Sequence, residues 1–265
     1  MIRKELLTFF GKFKKAMEKI KRPSIFLFFT EIWRALRELS QALPFIKKYQ
    51  VKQKGDGHTV FVIPGFLASD ASTKPLRRFL EKIGYQTCGW ELGTNLADLE
   101  QLAIISEKIH HLYAKNQQPI SLIGWSLGGV YAREMAKEHP EKIRQVITLG
   151  SPFGGIMEPN NANITFEFIK WLKGYPEIDA DFVATLPNPA PVPSTAIYSK
   201  KDGIVPWQTC MEKVEDATHQ NIESFGSHLG MGVNTHVLEI IADRLNYTEN
   251  NWVKYGEEAL FIGSR

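Results

Sequence analysis

Apolar residues along this chain alternate between two rhythms, short unbroken runs and stretches spaced by three and four. The runs at 59–63, 85–92, 120–125, 143–149, 194–199 and 221–225 are rich in Val, Ile, Leu and aromatics. They read as short strands, the unbroken apolar ones as buried on both faces. Between them lie helical periods. One runs from about Lys74 to Lys82, with Ser69 or Ser72 to cap it. Another covers 96–115, with Leu99, Leu102, Ile105, Ile109 and Leu112 in step. Val130 to about Lys137 and 235–245 complete the set. Strand–helix alternation of this kind predicts a mostly parallel, doubly wound sheet joined by right-handed crossovers. No internal repeat interrupts it.

The rhythm breaks in two places. From 153 to 193 the strands stop; 164–172 is helix-like and aromatic, and prolines at 187, 189, 191 and 193 favour a stiff extended return. Some forty residues exceed what a connector needs, so this segment is expected to be a cap or lid, with a surface excursion as the plainer alternative. The other break is the first fifty residues. Ile2, Leu6, Phe9, Phe10, Phe13, Met17 and Ile20 share one helical face amid lysines and arginines. Pro23 ends that helix, and Ser24 caps a second one that opens with Ile25-Phe-Leu-Phe-Phe29 and runs to about Leu43, before Pro44. The domain division is therefore an extension at 1–50, a body at 51–250 containing the insertion, and a tail at 251–265 with no readable signal.

Charge sharpens the reading of that extension. Residues 1–22 hold eight Lys/Arg against Glu5 and Glu18, a net +6, so the chain's overall +3 leaves −3 for the rest. An acidic body offers no footprint for nucleic acid. Lysines at 12, 14, 15 and 19 interrupt any signal-peptide core, and no run approaches the ~20 apolar residues of a membrane span. Two readings of 1–44 stay open: a peripheral anchor on the inner face of a membrane, or a helical hairpin packed on the body. A cytoplasmic location is expected in both. Cys88 and Cys210 are far apart and read as two free thiols, and no His/Cys pattern suggests a metal.

The chemistry centres on Gly124-Trp-Ser-Leu-Gly128, between the run at 120–125 and the helix that follows. A serine on a sharp strand-to-helix turn is strained, and glycines two positions either side remove Cβ atoms that would collide with neighbouring segments. Ser126 is the candidate nucleophile, and the backbone N–H of Leu127 can face a developing oxyanion. With Ile63-Pro-Gly-Phe66 before it and Gly150-Ser-Pro152 after it, this pentapeptide resembles the α/β-hydrolase fold. Within that fold it is most similar to bacterial triacylglycerol lipases and the GPI-inositol-deacylase-like esterases, over residues 59–245.

That resemblance implies an acid and a base in the order Ser, Asp/Glu, His. Asp202, in Asp202-Gly-Ile-Val-Pro206 after the run at 194–199, matches the expected acid; Glu177, Asp179 and Asp181 lie inside the insertion and fit worse. Of seven histidines, His228 follows the last strand run, in the loop where ligands meet an open sheet. The resemblance expects its histidine there. Phe66 N–H is the expected second oxyanion donor; many lipases carry His-Gly where this chain has Pro64-Gly65, a change that leaves a main-chain donor in place. Phe166, Phe168 and Trp171 of the insertion are expected to line an apolar acyl pocket, with Trp125 and Phe153 beside them. The implied activity is cleavage of carboxylic esters through an acyl-enzyme, without a cofactor. An acyltransferase, or a binding protein on the same fold, are the alternatives.

Overall fold

The computed structural model describes residues 20–50 and 53–256, apart from the side chains of Ile164, Phe168, Trp171 and Glu249. The expected pocket roles of Phe168 and Trp171, and the helix expected over 1–22 except its last residues, therefore lie outside it.

Six strands form one sheet: β1 (Thr59–Ile63), β2 (Gln86–Cys88), β3 (Ile120–Trp125), β4 (Ile143–Leu149), β5 (Ser194–Tyr198) and β6 (His219–Glu223), in the spatial order β2-β1-β3-β4-β5-β6. Every neighbouring pair is parallel. Helices cover both faces, so β1, β3 and β5 are buried at every residue and their sequences need not alternate. On one face, Leu76, Phe79 and Leu80 of α2 (Asp70–Lys82) and Val237, Leu238 and Ile241 of α7 (Thr235–Arg244) pack on Val60, Val62, Ile123 and Ile147. On the other, Ile105 and Ile109 of α3 (Gln101–Asn116) and Tyr131 and Met135 of α4 (Leu127–Glu138) pack on Phe61, Ile63, Leu122 and Val146. The strand order reverses between β1 and β3, where such a sheet opens a crevice at its carboxyl edge.

Three elements depart from the sequence reading for identifiable reasons. The second strand is only three residues long, because the N–H groups of Trp90 and Glu91 turn to the Asp70 carboxylate (2.9 and 2.7 Å) rather than to a neighbouring strand. Helix α3 starts at Gln101, not 96, since Ala97 adopts φ 65° and donates to Asn95 Oδ1 in a local turn. The first described helix, α1 (Ile25–Lys48), runs through Pro44 instead of stopping before it. Proline forfeits one helical hydrogen bond. The packing of Phe45, Ile46 and Tyr49 on the core, with both aromatic rings against Phe79, carries the helix past that loss. Lys82 Nζ donates to the carbonyls of Ile46 and Lys47 and closes the helix end.

Helices α5 (Asn163–Lys173) and α6 (Ala180–Thr185) occupy the insertion. The last described residues fold back rather than trailing away: Tyr255 N–H donates to Gln220 Oε1 (2.8 Å) and its ring rests on the core. No helix among the described residues is long and apolar enough to cross a membrane.

Candidate active site

Ser126 links β3 to α4 at φ 53° and ψ −123°, a strained backbone for a residue with a side chain. Its N–H donates to Leu149 O (2.8 Å), which fixes the turn on β4. A Cβ on Gly124 would lie 2.3 Å from Gly128 O, and one on Gly128 2.4 Å from Ile63 O. The glycine spacing is thus demanded by how closely α4 crosses β3 and the end of β1.

Asp202 and His228 meet on the same sheet edge, from the loops after β5 and β6. His228 Nδ1 lies 2.6 Å from Asp202 Oδ2, with both side chains almost fully buried. The other carboxylate oxygen accepts from the N–H groups of Ile204 (2.7 Å) and Val205 (2.8 Å), so the loop itself aims the acid. The imidazole sits where a side chain on Gly150 would project; Gly150 has φ 55°, and a Cβ there would be 3.1 Å from His228 Nδ1. Burial pulls the His228 pKa down, but the Asp202 charge, its hydrogen bond and the Glu31 charge together push harder, leaving it above the usual 6.5. Among the described residues Ser126 Oγ makes no hydrogen bond, to His228 or to any other group. Contacts of this kind are often long until substrate tightens them.

The loop after β1 completes the edge. A Cβ on Gly65 would be 3.0 Å from Ser126 Cβ, so this loop lies directly against the serine. Neither Phe66 N–H nor Leu127 N–H has a hydrogen-bond partner among the described residues. Buried Asn95, which sequence reasoning missed, pins the loop: its side-chain amide N–H donates to Pro64 O (3.0 Å) and its main-chain carbonyl accepts from Leu67 N–H (2.7 Å). Beside Ser126 opens a cleft of about 170 Å³, walled by Phe66, Leu99, Val130, Ile156, Phe166 and Val183 among others. The insertion supplies much of that wall, and Phe166 meets Phe66 edge-on at 5.9 Å.

Two expected pocket residues are elsewhere. Trp125 turns into the core and its indole N–H donates to His228 O (3.1 Å), tying the serine's strand to the histidine's loop. Strand alternation explains this, since Trp125 shares its face with Ile123 two residues earlier, on the side covered by α2 and α7. Phe153 lies behind the cleft wall, fully buried under the Arg133 guanidinium at 3.8 Å. Arg133 is itself paired with Glu212 and donates to Asn188 O (2.9 Å).

Glu31 and Glu38, on α1, reach the same two loops, and nothing in their spacing announced it. Glu31 is 1% exposed. Its carboxylate accepts from Gly203 N–H (2.8 Å) and Leu229 N–H (3.0 Å), each one residue from Asp202 or His228, and from Arg34 (2.6 Å). Glu38 accepts from Ser227 N–H (2.9 Å) and Ser227 Oγ. The one faint signal was two acids within a helix whose other charged side chains are all basic.

Four of the other six histidines have structural partners away from Ser126. His58 lies between Asp56 (2.5 Å) and Ser121 Oγ (2.8 Å), a geometry that mimics the catalytic one, but His58 and Ser121 are fully buried beneath the opposite edge of the sheet. Burial pushes His58 below its usual pKa, so it serves as a neutral structural bridge. His219 bonds Asp216 and Ala190 O, His139 bonds Ser106, and His236 bonds Ser224. Glu177 pairs with Lys170 and Asp179 caps α6, both away from His228. Among the described residues, no cluster of His, Cys, Asp and Glu could hold a metal ion, and Cys88 and Cys210 are both free.

The family model for the alpha/beta hydrolase fold matches residues 44–189. Solved structures with the same architecture are distant in sequence. Aspergillus fumigatus lipase B is 16% identical (TM-score 0.53), over 72% of this chain and 53% of its own; this chain thus spans about half of that lipase. The thioesterase domain of the curacin biosynthetic pathway is 16% identical (TM-score 0.51), covering 74% and 93%. Carboxylesterase CesB from Bacillus subtilis is 14% identical (TM-score 0.50), covering 80% and 96%. No curated protein sequence matches this one.

Proposed function

This chain belongs to the α/β-hydrolase fold family, and from that premise we propose that it is a serine hydrolase of carboxylic esters with an apolar acyl group. The observation that carries the reading is the buried Asp202–His228 pair, held at the sheet edge from which strained Ser126 projects. With Nδ1–H committed to Asp202, His228 keeps Nε2 as the basic nitrogen. Ser126 Oγ attacks the ester carbonyl and passes its proton to Nε2. Phe66 N–H and Leu127 N–H receive the developing oxyanion. Collapse breaks the ester bond, and the alcohol leaves with the proton from His228. Water, activated in turn by His228, then releases the acid and regenerates Ser126. The lipase and esterase neighbours agree with this class, and the cleft suits an apolar acyl chain better than a charged one. Ser126 is only half-buried, which lets water reach the acyl-enzyme and favours hydrolysis over acyl transfer.

Labelling with a fluorophosphonate probe and hydrolysis of p-nitrophenyl esters test the reading. Ser126→Ala should lose labelling and at least about 10⁴-fold in rate while melting like the parent. Labelling that survives the substitution would exclude Ser126 as the nucleophile.

A further inference from the structure

Helix α1 is turned inside out along its first three turns. Its acids, Glu31 and Glu38, face the body, while Ile25, Phe26, Phe29, Ile32 and Trp33 are 61–75% exposed. At 3.6 residues per turn those five and half-exposed Leu36 share an arc of about 120°, some 17 Å long. A monomeric surface rarely leaves so many large apolar side chains contiguous and bare. The arc is edged by exposed cations, Lys21 and Arg22 at its start and Arg37 and Lys47 further along, and no acid lies on it. Residues 1–19 bring six more Lys/Arg against two Glu.

We infer that this face of α1 docks on an anionic lipid bilayer, with Phe26, Phe29 and Trp33 at the acyl boundary and the flanking cations at the headgroups. Charge complementarity selects this occupant. Two copies joined through the face would bring cation against cation, whereas anionic headgroups neutralise them. The opposite face of the helix holds the loops of Asp202 and His228, so the docked element is hydrogen-bonded directly to both of those loops. Helix α1 also begins beside the cleft: Asn161 Nδ2 donates to Pro23 O (3.4 Å) and to Gly203 O (2.7 Å), between cleft residues Asn160 and Ile204. The docking surface stands independently of the ester reading.

The test is sedimentation of the full chain with phosphatidylglycerol/phosphatidylcholine vesicles and with phosphatidylcholine alone, alongside a Phe26→Ser/Phe29→Ser/Trp33→Ser variant. The parent should bind the anionic vesicles at least tenfold more strongly, and lose binding as salt rises. The triple variant should lose at least tenfold in binding with an unchanged melting temperature. Four results would overturn the proposal. One is a parent that ignores anionic vesicles; another is equal binding by parent and variant. A third is a variant that melts several degrees lower with vesicle binding intact, which would show the stripe covered by residues 1–19. The last is a parent dimer that the variant abolishes, which would assign the face to a second copy.

Discussion

At the scale of single residues, charge placement around His228 makes the most direct experimental demand. As a general base it works only when neutral, so a pKa raised above 6.5 places the acid limb of kcat/KM above that pH, with activity lost as pH falls through it. Glu31 contributes by stabilising the imidazolium from α1. Removing its charge in Glu31→Gln makes the imidazolium less favourable, so the limb should move to lower pH, while kcat at the plateau falls because Gly203 and Leu229 lose a shared anchor. A pH–rate profile of the variant checks both. A residue that only held the fold together would lower stability and leave the limb where it was.

At the scale of elements, the insertion and the serine's turn meet across the cleft. Phe166 of α5 reaches Phe66, so one wall atom set belongs to the insertion and the facing set to the loop beside Ser126. Phe166→Ala should reduce kcat/KM on long-chain esters about tenfold, the size of effect expected for losing part of an aromatic contact with an apolar chain. Acetate esters should stay within about twofold. A chain-length series of p-nitrophenyl esters reads the ratio directly, and equal losses at all lengths would return Phe166 to ordinary packing. Helix α1 shows the same division of labour on one element. Its C-terminal end is held by aromatic packing on Phe79, and its middle turns by the Glu31 and Glu38 carboxylates on two loops.

Across the whole molecule, one buried ion pair joins parts that the sheet alone does not. Arg133 on α4 pairs with Glu212 in the segment between β5 and β6, holds Asn188 at the return of the insertion, and covers Phe153 at its departure. Both side chains are almost fully buried. Replacing one member strands the other's charge, which costs about 3–5 kcal/mol. Arg133→Ala should therefore lower the urea midpoint by that equivalent, and the cleft should loosen with it. Denaturation curves of the variant measure the first effect, and a change within about 0.5 kcal/mol would show that water reaches Glu212.

Local signals were enough for the scaffold. The strands at 59–63, 120–125 and 143–149 stand where short runs rich in Val, Ile and Leu placed them, and all their residues but Arg144 are buried. The strained turn at Ser126 was legible too, since only glycine fits at 124 and 128 and the need is written within five residues. Asp202 and His228 could be picked out by their places after strand runs, and the fold brings them within hydrogen-bond distance. What the chain alone withheld depends on contacts between residues far apart in sequence. Trp125 and Phe153 are aromatic near the site, but their direction is set by the pleat and by Arg133. Glu31 lies 171 residues before Asp202, and no periodicity reveals that its carboxylate faces inward while the phenylalanines beside it face out. Amphipathic patterns assign apolar residues to the core; here hydrogen bonds to loop N–H groups outweighed that rule, and only packing in three dimensions could decide it.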